Sequence, residues 1–288
     1  MIPSPLTEEH LATTVAAALA EDAPWGDLTG EVLVPADARA AAVLVAREPG
    51  TLCGVRVAEA AFRLVDPATT VDRVLDDGAL LEPGAVVATV EGSARSVLRA
   101  ERVALNFAQR MSGIATQTRA YVDAVAGTGV RIVDTRKTTP GLRAFERYAV
   151  VCGGGHNHRF SLSDAVMAKD NHLAVLGDDP ERITAALRAA RERLPHTVHL
   201  EVEVDRLDQI DAVLAAGVDT IMLDNFSLDD LRTGVEKIDG RALVEASGGI
   251  TREGIREVAL TGVDLISVGA LTHSVRALDL GLDVEVAV

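Results

Sequence analysis

Seven basic side chains fall between residues 131 and 169: Arg131, Arg136, Lys137, Arg143, Arg147, Arg159 and Lys169. Three acids, Asp134, Glu146 and Asp164, accompany them, so the segment is +4 in a 288-residue chain of net charge −15. A basic island in an acidic chain suits a pocket for a small anion. The overall negative field repels nucleic acid and anionic membranes, and neither is expected as a partner. Lysine usage sharpens the point. The chain has 25 arginines and three lysines, Lys137, Lys169 and Lys237. Where charge defaults to arginine, a retained lysine offers a compact ammonium with a movable pKa. Lys237 closes an amphipathic segment as a helix-end charge; Lys137 and Lys169 lie in the island.

The elements that position these groups come from periodicity. Apolar runs at 130–134, 165–169, 200–204, 220–223, 242–246 and 265–268 alternate with helical patterns at 180–193, 207–216, 228–238 and 252–261. Beyond residue 200 strands recur roughly every twenty residues, the cadence of a β/α barrel. Six strands are clear and a seventh fits 148–152; a doubly wound sheet is the alternative. Barrel active sites lie at the C-terminal strand ends. Those ends carry Asp134 to Lys137, then Lys169 to Asn171, Glu203 with Asp205, Asp224 with Asn225, Ser247 to Gly249, and Gly269 with Ala270. Cations there suit phosphates and carboxylates. One or two carboxylates suit a magnesium ion that already carries phosphates. Glycine turns before helices offer free N–H groups to a phosphate.

Several residues have plainer readings. His156, His158 and His172 lack the i,i+4 spacing of a helical metal site. Arg143 and Arg147 are spaced as helix-face charges. Glu201 shares a strand face with Glu203 but stands nearer its start, as a supporting group. Gly153 to Gly155 serves a tight turn or a close approach.

The amino-terminal part differs in period. Residues 7–21 read as a helix capped by Thr7, and 31–92 as short strands punctuated by Asp77-Gly78 and Pro83-Gly84. Gly78 to Gly92 has the look of a lipoyl-carrier hairpin, but no lysine precedes Lys137. Residues 95–125 form one long helix, with a break expected at Gly113; Arg95, Arg99, Arg102, Asn106 and Arg110 share its polar face. No apolar stretch reaches the ~20 residues of a membrane span. Met1 to His10 lacks a signal-peptide pattern, and Cys53 and Cys152 cannot build a disulfide framework or a cysteine zinc site. A cytoplasmic protein is expected.

The run Asp134-Thr135-Arg136-Lys137-Thr138-Thr139-Pro140-Gly141-Leu142-Arg143 resembles the quinolinate phosphoribosyltransferases, as do Gly153-Gly154-Gly155-His156-Asn157-His158-Arg159 and Lys169-Asp170-Asn171-His172. The resemblance continues in order through Glu201 to Asp205, Leu223 to Phe226, Glu245 to Gly249 and Ser267 to Ser274, with Glu101 to Asn106 and Ser112 to Thr116 upstream. Thr139 and Ala168 depart mildly from the pattern. The resemblance implies an α/β fold: an N-terminal α/β sandwich over 1–110, an incomplete, seven-strand-type β/α barrel over 111–275, and a segment 276–288 packing back on the first domain. It implies transfer of phosphoribosyl from phosphoribosyl pyrophosphate to quinolinate with decarboxylation. It also implies a homodimer in which Arg102 enters the partner's site.

By motif position, substrate binding falls on Arg102, Thr135, Arg136, Lys137, His158, Arg159 and Lys169. The phosphate turns fall on Ser247, Gly248 and Gly249 and on Val268, Gly269 and Ala270. Glu203 and Asp224 would serve the ribose and a Mg2+ ion, and with Lys137 and Lys169 form the catalytic set. The competing readings are a relative from molybdate-transport operons, a nicotinate-type enzyme without decarboxylation, a Schiff-base aldolase using Lys169 or Lys137, and a non-catalytic anion sensor.

Overall fold

The computed structural model describes residues 6–177 and 179–287, which form two compact units. The first contains the chain up to Arg119, Thr138–Gly154 and the part from Leu271 onward; the second contains Ala120–Lys137 and Gly155–Ala270. Residues 138–154, inside the range expected for the barrel, therefore group with the first unit. Strands β1 (Arg39–Ala46), β2 (Gly50–Thr51), β3 (Thr70–Arg73), β4 (Leu80–Leu81) and β5 (Val86–Ser93) belong to the first unit. Strands β6 (Arg131–Val133), β7 (Val166–Ala168), β8 (Leu200–Val204), β9 (Thr220–Asp224), β10 (Leu243–Ser247) and β11 (Leu265–Ser267) belong to the second, and β12 (Leu280–Ala287) to the first again.

In the first unit β12, β1, β5 and β3 make an antiparallel sheet in that order. β1 buries Ala40, Ala42 and Leu44 on one face, the period of two that lets a sheet cover a core. Helices of this unit among the described residues include α1 (Glu8–Asp22), α2 (Leu28–Leu33), α3 (Val55–Val65), α4 (Ala94–Ala124) and α5 (Arg143–Cys152). Thr7 caps α1, its Oγ1 accepting the His10 N–H at 3.2 Å. Helix α4 runs unbroken through Gly113. The glycine is there for packing, since a Cβ at that position would stand 2.2 Å from the Arg276 carbonyl oxygen.

The strand expected at 148–152 is the end of α5. A five-residue apolar run looks the same in a buried helix and a buried strand. The helix wins because Phe145, Ala149 and Val150 line one buried face. Arg147, spaced as a helix-face charge with a structural or pocket-rim place expected, is 5% exposed. Thr139 also finds its reason here. Its Oγ1 donates to Glu146 Oε1 at 2.8 Å, and Arg110 Nη2 donates to the same buried carboxylate at 2.8 Å. Asp77 does more than turn a hairpin: it accepts the Val55 N–H at 3.0 Å and the Tyr148 hydroxyl at 2.9 Å.

In the second unit all six strands are parallel, ordered β6-β11-β10-β9-β8-β7, and alternate with α6 (Asp170–Leu176), α7 (Pro180–Arg193), α8 (Ile210–Ala215), α9 (Leu228–Ile238) and α10 (Ile255–Ala259). A lone parallel bridge joins His156 to Val133 of β6, so a seventh place beside the sheet is held by one residue. β6 and β7 are the sheet's outer strands, and the barrel is incomplete among the described residues. Val202, Val204, Ile221, Leu223, Val244, Ala246 and Ile266 are buried. No helix among the described residues is long and apolar enough to cross a membrane.

Candidate active site

The second unit holds a cavity of about 440 Å³ at its strand ends. Thr135, Arg136, Lys137, His158, Arg159, Lys169, Glu203, Asp224 and Ser247 line it, together with Met167, Met222, Glu245 and Ser267. All six strands of the unit and the loop carrying His158 and Arg159 deliver these groups. After β6, the chain turns at Thr135, whose Oγ1 accepts the Lys137 N–H at 3.1 Å. Asp134, fully buried, fixes the next loop: its Oδ1 accepts the His158 N–H at 2.8 Å and its Oδ2 the Asn157 amide at 2.6 Å. Lys169 ends the β7 segment as the N-cap of α6. Glu203 and Asp224 stand at the ends of β8 and β9, Ser247 at the end of β10.

The cations are set against acids. Lys169 Nζ donates to Glu203 Oε2, and Glu203 is 8% exposed. Burial lowers the Arg159 pKa, and the neighbouring Arg136 charge lowers it further. Two guanidinium groups close enough to repel are a poor arrangement for an empty cavity and a good one for a dianion. His158 sits against two buried carboxylates, with Nε2 3.0 Å from Glu201 Oε2 and 3.4 Å from Glu245 Oε2. Burial lowers its pKa and the contacts with Glu201 and Glu245 raise it; the Arg159 N–H donated to Nδ1 at 2.7 Å requires the neutral ring.

Some expected groups lie apart from this cavity. Gly248 and Gly249 line a neighbouring hollow of about 320 Å³ with Ser227, Ser247 and Thr251. Gly248 has φ 96°, and a Cβ there would meet Asn225 Oδ1 at 2.2 Å, so the turn demands glycine. Val268, Gly269 and Ala270 do not line the larger cavity. Arg102 is exposed on α4 in the first unit. Gly153 packs rather than touching a ligand, because a Cβ there would stand 2.4 Å from the Ala115 carbonyl oxygen.

Met167, Met222, Glu245 and Ser267 also line the cavity, from positions within the strands rather than beyond their ends. Glu245 stands two residues before Ser247, and the two-residue period puts both on one strand face, so a signal was there to read.

Two family models cover nearly the whole chain. The quinolinate phosphoribosyl transferase N-terminal domain matches residues 27–112 and the C-terminal domain residues 114–283. The chain belongs to the quinolinate phosphoribosyltransferase family. A relative from Mycobacterium leprae, named nicotinate-nucleotide pyrophosphorylase [carboxylating], is 48% identical over 279 residues, 94% of this chain and 95% of that protein. A Bacillus subtilis relative, a probable nicotinate-nucleotide pyrophosphorylase, is 42% identical, covering 93% of this chain and 91% of its own length. The crystal structure of NadC from Streptococcus pyogenes matches with a TM-score of 0.92 at 41% identity, over 98% of this chain and 99% of that one. Human nicotinic acid phosphoribosyltransferase, at 15% identity and a TM-score of 0.61, shares the fold.

Proposed function

We propose that the chain transfers phosphoribosyl from phosphoribosyl pyrophosphate to quinolinate and releases CO2, giving nicotinate mononucleotide and pyrophosphate. One observation carries this beyond family membership: Arg136, Lys137, Arg159 and Lys169 share a single cavity with Glu203 and Asp224. The two substrates bring two carboxylates, a sugar phosphate and a pyrophosphate, which repel one another in a dry pocket unless fixed cations separate them. Planar guanidinium forks suit the carboxylates, so Arg136 and Arg159 take quinolinate. Lys137 and Lys169 act as point charges toward pyrophosphate.

The pyridine nitrogen attacks the anomeric carbon as the bond to pyrophosphate breaks. Positive charge builds on the sugar, as in glycoside cleavage. The carboxylates of Glu203 and Asp224 are placed to stabilise it. The ring nitrogen is then cationic. The bond to the adjacent carboxyl carbon breaks, CO2 leaves, and a proton from water replaces it on the ring. Positioning and electrostatics do the work, with no dedicated base.

The donor set fits magnesium. Glu203 and Asp224 offer hard oxygens, and the Lys169 ion pair partly neutralises Glu203, which favours an ion arriving on pyrophosphate over a resident one. Bound there, magnesium would neutralise charge on the leaving group.

We infer a homodimer with Arg102 serving the partner's site. Arg102 is exposed, and Trp25, Leu28, Val32 and Leu33 are 91%, 73%, 78% and 74% exposed, an apolar surface of the kind that subunit contacts cover. The free thiols of Cys53 and Cys152 fit a cytosolic setting.

Competition between substrates tests the reading. CO2 from carboxyl-labelled quinolinate, at a rate matching pyrophosphate release, supports it. Turnover of nicotinate in place of quinolinate overturns it in favour of the non-decarboxylating enzyme.

A further inference from the structure

Barrel interiors are normally packed with branched apolar side chains. Here Glu201 and Glu245 are 3% and 1% exposed, on two strands that flank β9. Glu245 faces Met222 of β9 in register, as Glu203 does from the other side, and Glu201 lies one layer lower, opposite Thr220. Burying carboxylates is costly unless each meets a partner. Glu201 meets His158 Nε2 at 3.0 Å, while Glu245, whose buried oxygens make no hydrogen bond, stands 3.4 Å from the same nitrogen and faces it by charge alone. The opposite ring nitrogen is also engaged: Nδ1 accepts the Arg159 N–H at 2.7 Å. That acceptor role places the ring's proton on the Nε2 side, between the carboxylates. The backbone of the same loop is tied separately to Asp134 through the His158 N–H. Arg159 Nη1 reaches the Ala165 carbonyl oxygen at 3.3 Å.

We propose that Glu201 and Glu245 are positioning residues for quinolinate binding: they hold His158 by one ring nitrogen, so that the other fixes the backbone of Arg159 and aims its guanidinium into the cavity. The proposal rests on the functional reading above. It explains why acids occupy interior positions of the barrel that apolar residues would fill more cheaply. Arg159 must be held beside Arg136 against mutual repulsion, and a loop free to relax would swing it away. A clamp from two strands of the sheet prevents this, because sheet strands are more rigid supports than loops.

Glu245→Gln and Glu201→Gln test it, since each keeps shape and removes charge. The expected result is a quinolinate KM raised roughly 10-fold or more, with the KM for phosphoribosyl pyrophosphate moved by less than about twofold. In an Arg159→Ala background, Glu245→Gln should weaken quinolinate binding, measured by calorimetry, no further, because the two act in series. An unchanged quinolinate KM, equal shifts in both KM values, or a full additional loss in the Arg159→Ala background would each overturn the clamp. Should a single variant fail to fold, the triple variant Glu201→Gln, Glu245→Gln, His158→Asn replaces all three ionisable groups with amides, and the same KM comparison decides. Wild-type turnover is measured alongside. Its absence overturns the functional reading together with the clamp; an active wild type with indifferent variants overturns the clamp alone.

Discussion

Lys169 and Glu203 form an ion pair across neighbouring strand ends, with the lysine side chain 43% exposed and the glutamate 10%. The asymmetry decides what each partner does. The half-exposed ammonium can reach a phosphate while it stays beside Glu203, whereas the buried carboxylate needs its counter-ion.

Lys169→Met should therefore harm folding as well as activity. It leaves Glu203 buried without that cation, at about 1–3 kcal/mol, and thermal unfolding should show a Tm lower by roughly 2–10 °C. Adding Glu203→Gln should restore Tm and leave the enzyme inactive. Recovery of turnover in the double variant would show that neither charge is needed.

Arg136→Ala and Arg159→Ala each remove a guanidinium that lines the cavity. Charge-assisted hydrogen bonds contribute about 1.5–3 kcal/mol, so quinolinate affinity by titration calorimetry should fall roughly 10- to 100-fold. The circular dichroism spectrum should be unchanged. Wild-type affinity in either variant would contradict the assignment.

The buried Glu146 accepts from Thr139 Oγ1 at 2.8 Å, from the Thr139 N–H at 3.1 Å and from Arg110 Nη2 at 2.8 Å. Glu146→Ala opens a void and takes one partner from Arg110, which keeps the Thr272 and Val275 carbonyl oxygens, and should cost about 2–3 kcal/mol. Thr139→Val removes one neutral donor and should cost about 1 kcal/mol. Urea unfolding midpoints give both values, and an order reversed from this would sink the account.

Asp219 ties β8 to the chain entering β9. Burial would raise its pKa, but the Leu200 N–H at 2.7 Å and Arg191 Nη2 at 2.6 Å outweigh burial and lower it. A carboxylate whose folded pKa is depressed contributes stability above its unfolded value, about 3.9, and that stability disappears as pH falls through the folded value. Asp219→Asn should be less stable than wild type at pH 7, and the gap should close as pH falls from the unfolded value through the depressed folded one. A gap constant with pH would show that the charge is irrelevant.

The sequence carried much of this arrangement because strand ends are legible. Asp134, Lys169, Glu203, Asp224 and Ser247 each close an apolar run, and β/α alternation tells which end faces the site. What stayed hidden depends on tertiary contact. Glu245 and Ser267 sit inside strands, where only the two-residue period marks them. The apolar end of α5 reads equally as strand or helix until its neighbours are known. Thr139 reads only as a mild departure from the motif and Arg147 only as a helix-face charge, and packing shows that one donates to a buried acid and the other is itself buried. Gly113 promises a helix break, yet the approach of the Arg276 carbonyl makes it a packing glycine.

The central claim is that this cavity joins quinolinate to phosphoribosyl with loss of CO2. The most direct measurement incubates the purified chain with quinolinate, phosphoribosyl pyrophosphate and magnesium and follows products by mass spectrometry. Nicotinate mononucleotide, pyrophosphate and CO2 should appear in equal amounts. Quinolinate left intact by a folded chain under those conditions would contradict the account.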